Sequence, residues 1–105
     1  MKKIECFISP EREKSLIEAL QTAGVGGVTS YPVRGFGKQN RTVSGSLLPK
    51  VKFELLVLET EYEKIIDIIF KTAQTGGFGS GKIAVYNIEN VIRIRTGETG
   101  AKALY

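Results

Sequence analysis

Two times along this 105-residue chain the hydrophobic period passes from alternation to helical spacing and back again, and that pattern restricts the fold more than any other feature. Residues 50–59 alternate most cleanly. Val51, Phe53, Leu55 and Val57 share one face, and Lys50, Lys52 and Glu54 share the other. A period of two marks a half-buried strand. Residues 61–75 follow with Tyr62, Ile65, Ile66, Ile69 and Ala73 in one helical stripe. The N-terminal half repeats the plan. Residues 3–9 predict a strand. Ser9-Pro10-Glu11 then reads as a helix start: a capping oxygen, a proline at the first position and an acid in the first turn. Leu16, Ile17, Leu20 and Ala23 supply the buried stripe, and Gly24 the stop. Residues 28–36 predict a second strand. Pro32 removes a ladder donor there, so this strand belongs at a sheet edge or carries a bulge. Residues 83–88 predict a fourth strand and 91–95 a short last one.

The resulting order is β-α-β-β-α-β with a small extra strand. It describes an α+β, ferredoxin-like arrangement, an antiparallel sheet with both helices on one face. The length suits one domain, 1–105, and the 42% hydrophobic content fills one modest core. A domain this small buries a limited share of its surface, so association between copies would help it. Two segments lack periodicity: a loop, 38–49, between the second and third strands, and a glycine-rich loop, 76–82. Long loops inside a compact domain usually carry function.

Composition removes several classes of chemistry. There is no histidine, the commonest general base and metal ligand. The single cysteine, Cys6, permits no intrachain disulfide and no ordinary structural zinc site. It reads as a buried thiol in a reducing cytoplasm. No apolar run approaches ~18 residues, so no membrane span is expected. Met1-Lys2-Lys3-Ile4-Glu5 lacks the apolar core of a signal peptide. The expected location is therefore cytoplasmic. A net charge of +4 tolerates anionic partners without choosing among them.

Four segments carry anion-binding chemistry. In Thr75-Gly76-Gly77-Phe78-Gly79-Ser80-Gly81-Lys82 the glycines let backbone N–H groups turn toward one anion, and the lysine adds a point charge. The string fits G-x-x-x-x-G-K, but Ile83 stands where a magnesium-binding Ser or Thr belongs, and the helix precedes rather than follows it. It is a phosphate cradle of another kind, or a flexible connector. In Arg93-Ile94-Arg95-Thr96-Gly97, strand alternation would place both arginines on one face, where phosphate suits them or water solvates them. Arg34-Gly35-Phe36-Gly37-Lys38-Gln39 flanks an aromatic with glycines, which permits close backbone approach to a ligand or simply ends a strand. Lys50, Lys52 and Glu54 form the polar face of the central strand.

Taken together, these segments resemble the P-II nitrogen-regulatory signal-transduction proteins. The resemblance covers nearly the whole chain: the opening Met1-Lys2-Lys3-Ile4-Glu5, then Gly35-Phe36-Gly37-Lys38-Gln39 and Leu48-Pro49-Lys50-Val51-Lys52. It continues through Thr72-Ala73-Gln74-Thr75-Gly76 and Gly79-Ser80-Gly81-Lys82-Ile83 to Val91-Ile92-Arg93-Ile94-Arg95-Thr96-Gly97-Glu98. It implies a homotrimer with nucleotide sites between neighbouring subunits, where ATP and ADP compete and 2-oxoglutarate binds beside Mg-ATP. It also implies a loop that docks on a transporter or a metabolic enzyme, and a regulator rather than an enzyme.

Carried over by position, Gly35, Phe36, Gly37 and Lys38 would line the cleft. Thr29, Glu54 and Leu56 would sit near adenine and ribose. Gly79, Ser80, Gly81 and Lys82 would cradle phosphates, and Arg93 and Arg95 would reach them from the adjacent chain. Gln39 would help hold magnesium and 2-oxoglutarate, and Lys50 would pair with the acid's distal carboxylate. The chain departs from the family's pattern in three places. Its loop, 38–49, is shorter and holds no tyrosine, so the uridylylation acceptor of many bacterial members is absent, leaving only the hydroxyls of Thr42, Ser44 and Ser46. Asn40-Arg41-Thr42 replaces the usual basic-glycine pair. Ser80 replaces a common small acid.

Two rival readings share the element order. An RNA-recognition module would use Arg34-Gly35-Phe36-Gly37 as its signature. Lys38, Gln39 and Arg41 then break that signature, and the central strand offers only Phe53 for stacking. A small phosphatase on this fold would need a nucleophile or paired carboxylates that the glycine-lined segments do not contain.

Overall fold

The structure, a computed structural model, describes residues 1–38, 44–77 and 80–105. The described elements are β1 (Lys2–Ile8), a 3-10 turn (Pro10–Arg12), α1 (Glu13–Thr22), β2 (Thr29–Gly35), β3 (Leu48–Val57), α2 (Tyr62–Ala73), β4 (Lys82–Asn87) and a C-terminal 3-10 turn (Gly100–Leu104). The strands form one sheet in the order β2-β3-β1-β4, with every neighbouring pair antiparallel. This is the α+β, ferredoxin-like arrangement.

Alternation decides which face of the sheet is covered. β1 and β3 pair Ile4 with Leu55, Cys6 with Phe53 and Ile8 with Val51. These six are buried together with Leu16 and Leu20 of α1 and Ile65, Ile69 and Ala73 of α2. Both helices therefore pack on one face. Phe53 is fully buried at its centre, so it is no stacking platform. β2, which carries Pro32, lies at the edge of the sheet, where a missing ladder donor does least harm. The opposite face carries Lys3, Glu5 and Phe7 of β1, Thr29, Tyr31 and Val33 of β2, Lys50, Lys52, Glu54 and Leu56 of β3, and Lys82, Ala84 and Tyr86 of β4. Neither α1 nor α2 covers it. No described helix is long and apolar enough to cross a membrane.

Four differences from the expectations bear on the site. Ser9 is extended and makes no side-chain capping bond; Pro10 opens a 3-10 turn, closed by Arg12 N–H on the Ser9 carbonyl at 3.0 Å, and α1 starts at Glu13. α1 does stop at Gly24, whose N–H bonds the Gln21 carbonyl while Val25 N–H bonds that of Leu20. β3 starts at Leu48, so Leu48 and Pro49, placed in the loop from sequence, pair instead with Gly35 and Arg34 of β2. β4 starts at Lys82, which makes Lys82 a strand residue rather than the end of the glycine loop.

The fourth difference is that residues 91–95 form no strand. Ile92 makes a single bridge to Thr99, and Arg93 N–H bonds the Glu98 carbonyl at 2.9 Å. Gly97 N–H returns to the Arg93 carbonyl at 2.8 Å, and Gly100 N–H to that of Val91 at 3.0 Å. These bonds fold 91–100 into a tight hairpin, so its backbone groups are satisfied locally rather than on the sheet. Ile94 is 99% exposed at its tip.

Candidate functional site

Among the described residues, two clefts of different character lie along the uncovered sheet face. The larger, ≈ 770 Å³, lies where the ends of β2 and the start of β3 meet β4. It gathers Gly35, Phe36, Gly37, Lys38, Lys50, Gly81 and Lys82, seven of the residues expected at the site, from three separate segments. Arg34 and Lys52 bring its cations to five, and no carboxylate lines it. Arg34, Lys38 and Lys82 make no ion pair among the described residues. Three cations so placed, Arg34, Lys38 and Lys82, attract an anion with several charges.

The smaller cleft, ≈ 500 Å³, lies further along the same two strands. It contains Thr29, Glu54 and Leu56, with Gly27 and Val28 beside them and Ala103 and Leu104 of the C-terminal turn as a wall. Its character is different: one carboxylate, Glu54, with the Lys3 ammonium beside it, among Val28, Leu55, Leu56 and Leu104.

A charge lattice separates the two. Lys52 Nζ lies 3.3 Å from Glu5 and 3.4 Å from Glu54, and Lys3 Nζ lies 3.6 Å and 3.3 Å from the same two acids. The Tyr31 hydroxyl also donates to Glu54, at 3.4 Å. Hydrogen bonding from Lys3, ahead of that from Lys52, lowers the Glu54 pKa below its ordinary value. Glu54 is thus held ionised as a pure acceptor, suited to a hydroxyl or amine and unsuited to phosphate. Lys52 also lies over the rings of Phe7 and Tyr31 at 5.6 Å, so its charge is largely committed within the sheet.

The glycine loop is held by its serine. Ser80 Oγ accepts from Thr75 N–H at 3.1 Å, lies 2.7 Å from Thr75 Oγ1 and donates to the Gly77 carbonyl at 3.0 Å. Ser80 therefore closes the loop with its side chain. Next to it, Gly81 has φ +109°, and a Cβ there would fall 1.7 Å from the Phe7 carbonyl oxygen. Only glycine lets the loop cross so close to β1 and deliver Lys82 onto the open face.

Arg93 and Arg95 do not join either cleft of their own chain. Their expected alignment rests on a strand at 91–95, and the hairpin removes it. Arg93 instead lies 2.7 Å from Glu98 and donates to the Lys102 carbonyl at 3.0 Å. Arg95 is exposed in the turn. Gln39 and Gly79 lie outside the described residues. Sequence reasoning missed Lys3, Phe7 and Tyr31, all on the open face. The signal was present, since each lies two residues from another face member on its own strand, but the partner strands had to be known first.

Known proteins share this arrangement of motifs. A family model described as nitrogen regulatory protein P-II matches residues 1–98. The nitrogen regulatory protein P-II of Mesorhizobium japonicum is 46% identical over 112 aligned positions, covering 99% of this chain and 100% of the relative. That of Pasteurella multocida is 44% identical with the same coverage. Nitrogen regulatory protein P-II 2 of the archaeon Methanothermobacter thermautotrophicus is 40% identical, covering 99% of this chain and 97% of the relative. With the family's ordered motifs placed on a ferredoxin-like sheet, the chain belongs to the nitrogen regulatory protein P-II family, whose members are signal-transduction regulators and not enzymes.

Proposed function

We propose that the chain senses adenine nucleotides at the seam between copies of itself and reports their presence to a partner protein. One observation carries this reading: a cation-rich cleft without carboxylates lies beside a smaller, partly apolar cleft with one ionised acceptor, on the same sheet face. That polarity matches ATP or ADP, a polyanion joined to a flat base and a sugar rich in hydroxyls. Gly79, Gly81 and Lys82 would hold phosphates, with Ser80 fixing the loop, and Gly35, Phe36, Gly37 and Lys38 would form the floor. Thr29, Glu54 and Leu56 would take the nucleoside.

The arginines give the reason for assembly. Arg93 and Arg95 stand away from the clefts of their own chain, so they serve the site of a neighbour in a cyclic arrangement, which we take to be a homotrimer. The described residues contain no group of three histidine, cysteine or acidic side chains that could hold a metal. Magnesium would therefore arrive on the phosphate oxygens, with Gln39 as a protein ligand, in keeping with that ion's preference for retaining water and phosphate. 2-Oxoglutarate would use Gln39 and Lys50. The loop 38–49 would dock on the target, a transporter or a metabolic enzyme, in the cytoplasm.

Calorimetric titration with ATP, ADP and AMP, with and without magnesium and 2-oxoglutarate, tests the proposal. Saturable binding of ATP or ADP is the expected result. Heats no larger than dilution for all three nucleotides would remove it.

A further inference from the structure

The hairpin 91–100 does more than turn the chain. Arg93, whose side chain is 22% exposed, is held at two points. One guanidinium nitrogen lies 2.7 Å from Glu98 Oε1, and the other donates to the Lys102 carbonyl at 3.0 Å. A fork of two N–H groups on two oxygens is how a guanidinium holds a phosphate. Here a carboxylate and a backbone carbonyl of the same chain occupy those positions.

The second oxygen belongs to the C-terminal turn, which is itself seated on the body of the protein. Leu104 is buried, and the Tyr105 hydroxyl donates to Glu61. Gly26 allows the turn to sit close, since a Cβ there would fall 2.1 Å from the Leu104 carbonyl oxygen. Through Ala103 and Leu104 the turn forms a wall of the smaller cleft. Arg93 thus links an acid, the C-terminal turn and, in the reading above, the phosphates of a neighbour's ligand. Its five N–H donors outnumber these contacts, but it carries one positive charge, and a phosphate on the same fork would lie beside the Glu98 carboxylate, so the two anions compete.

We infer that Glu98 is an internal counter-ion that competes with the ligand's phosphate for Arg93, and that the exchange loosens the C-terminal turn at Lys102. Occupancy of one site would then be felt at the wall of the smaller cleft on the next chain. The inference rests on the nucleotide reading. The ion pair is partly solvated, and such pairs contribute little. A polyphosphate can therefore displace Glu98 at a modest loss of affinity.

The test uses ATP and inorganic tripolyphosphate, titrated into the unaltered chain, Glu98→Gln, Arg93→Ala and the double variant. Backbone amide exchange over 101–105 is followed in parallel. In Glu98→Gln the side-chain amide can still accept from Arg93 but carries no charge, so the hairpin is kept. Binding to Glu98→Gln should tighten about two- to five-fold, the equivalent of one such ion pair. The gain should vanish in the Arg93→Ala background, and ATP should speed exchange over 101–105 in the unaltered chain. Equal or weaker binding to Glu98→Gln, while the unaltered chain binds, overturns the counter-ion role and leaves the nucleotide reading standing. An unaltered chain that takes up neither anion overturns both.

Discussion

Glu54 and Lys82 lie on one sheet face and answer opposite chemistry. Glu54 is locked as an acceptor by Lys3, Lys52 and Tyr31, whereas Lys82 makes no ion pair among the described residues. Lys82→Ala should weaken ATP binding by about 1.5–3 kcal/mol, the scale of a hydrogen bond to a charged group, measured by calorimetry. Cys6 makes a different prediction. Its thiol is fully buried, and burial pushes its pKa from 9.0 up to about 11. The neutral thiol should therefore resist alkylation in the native protein. Its folded pKa is raised, so its contribution to stability is complete below 9.0 and declines as pH rises toward 11. Urea midpoints should fall across that window more steeply than those of Cys6→Ala, which lacks the titrating group.

At the scale of elements, the glycine loop and the C-terminal hairpin differ in how readily the sequence discloses them. Gly81→Ala should cost about 1–3 kcal/mol, because the added methyl meets the β1 backbone and something must shift. Urea denaturation of the variant checks this. The need for glycine at 81 is invisible until β1 and β4 are known to be neighbours. The strands β1 and β3 are legible because each is long enough for alternation to sort core from surface: Ile4, Cys6 and Ile8, then Val51, Phe53, Leu55 and Val57. At 91–95 the same alternation misleads. Val91-Ile92-Arg93-Ile94-Arg95 has the composition of a strand, yet Gly97 and Gly100 turn it back on itself, so period alone does not supply the partner a strand requires. The Arg93–Glu98 pair likewise becomes visible only once that turn is in place. Ser80 can be placed in the loop from sequence, but only its partners, Thr75 and Gly77, disclose its structural role.

For the whole molecule, the proposed nucleotide site is incomplete within one chain. Seven expected site residues meet in the larger cleft and three in the smaller, while Arg93 and Arg95 stand apart on the hairpin. A second copy supplies what the first lacks if the copies are related by a closed rotation. This can be tested by complementation. Lys82→Ala and Arg93→Ala chains, each defective in ATP binding, are unfolded together in equal amounts, refolded, and titrated with ATP. If each site joins Lys82 of one chain to Arg93 of the next, roughly one quarter of the sites in random cyclic assemblies regain both residues, and binding at the unaltered affinity returns to that fraction. If the mixture binds ATP no better than either variant alone, the two residues do not meet across a seam, and the account is contradicted.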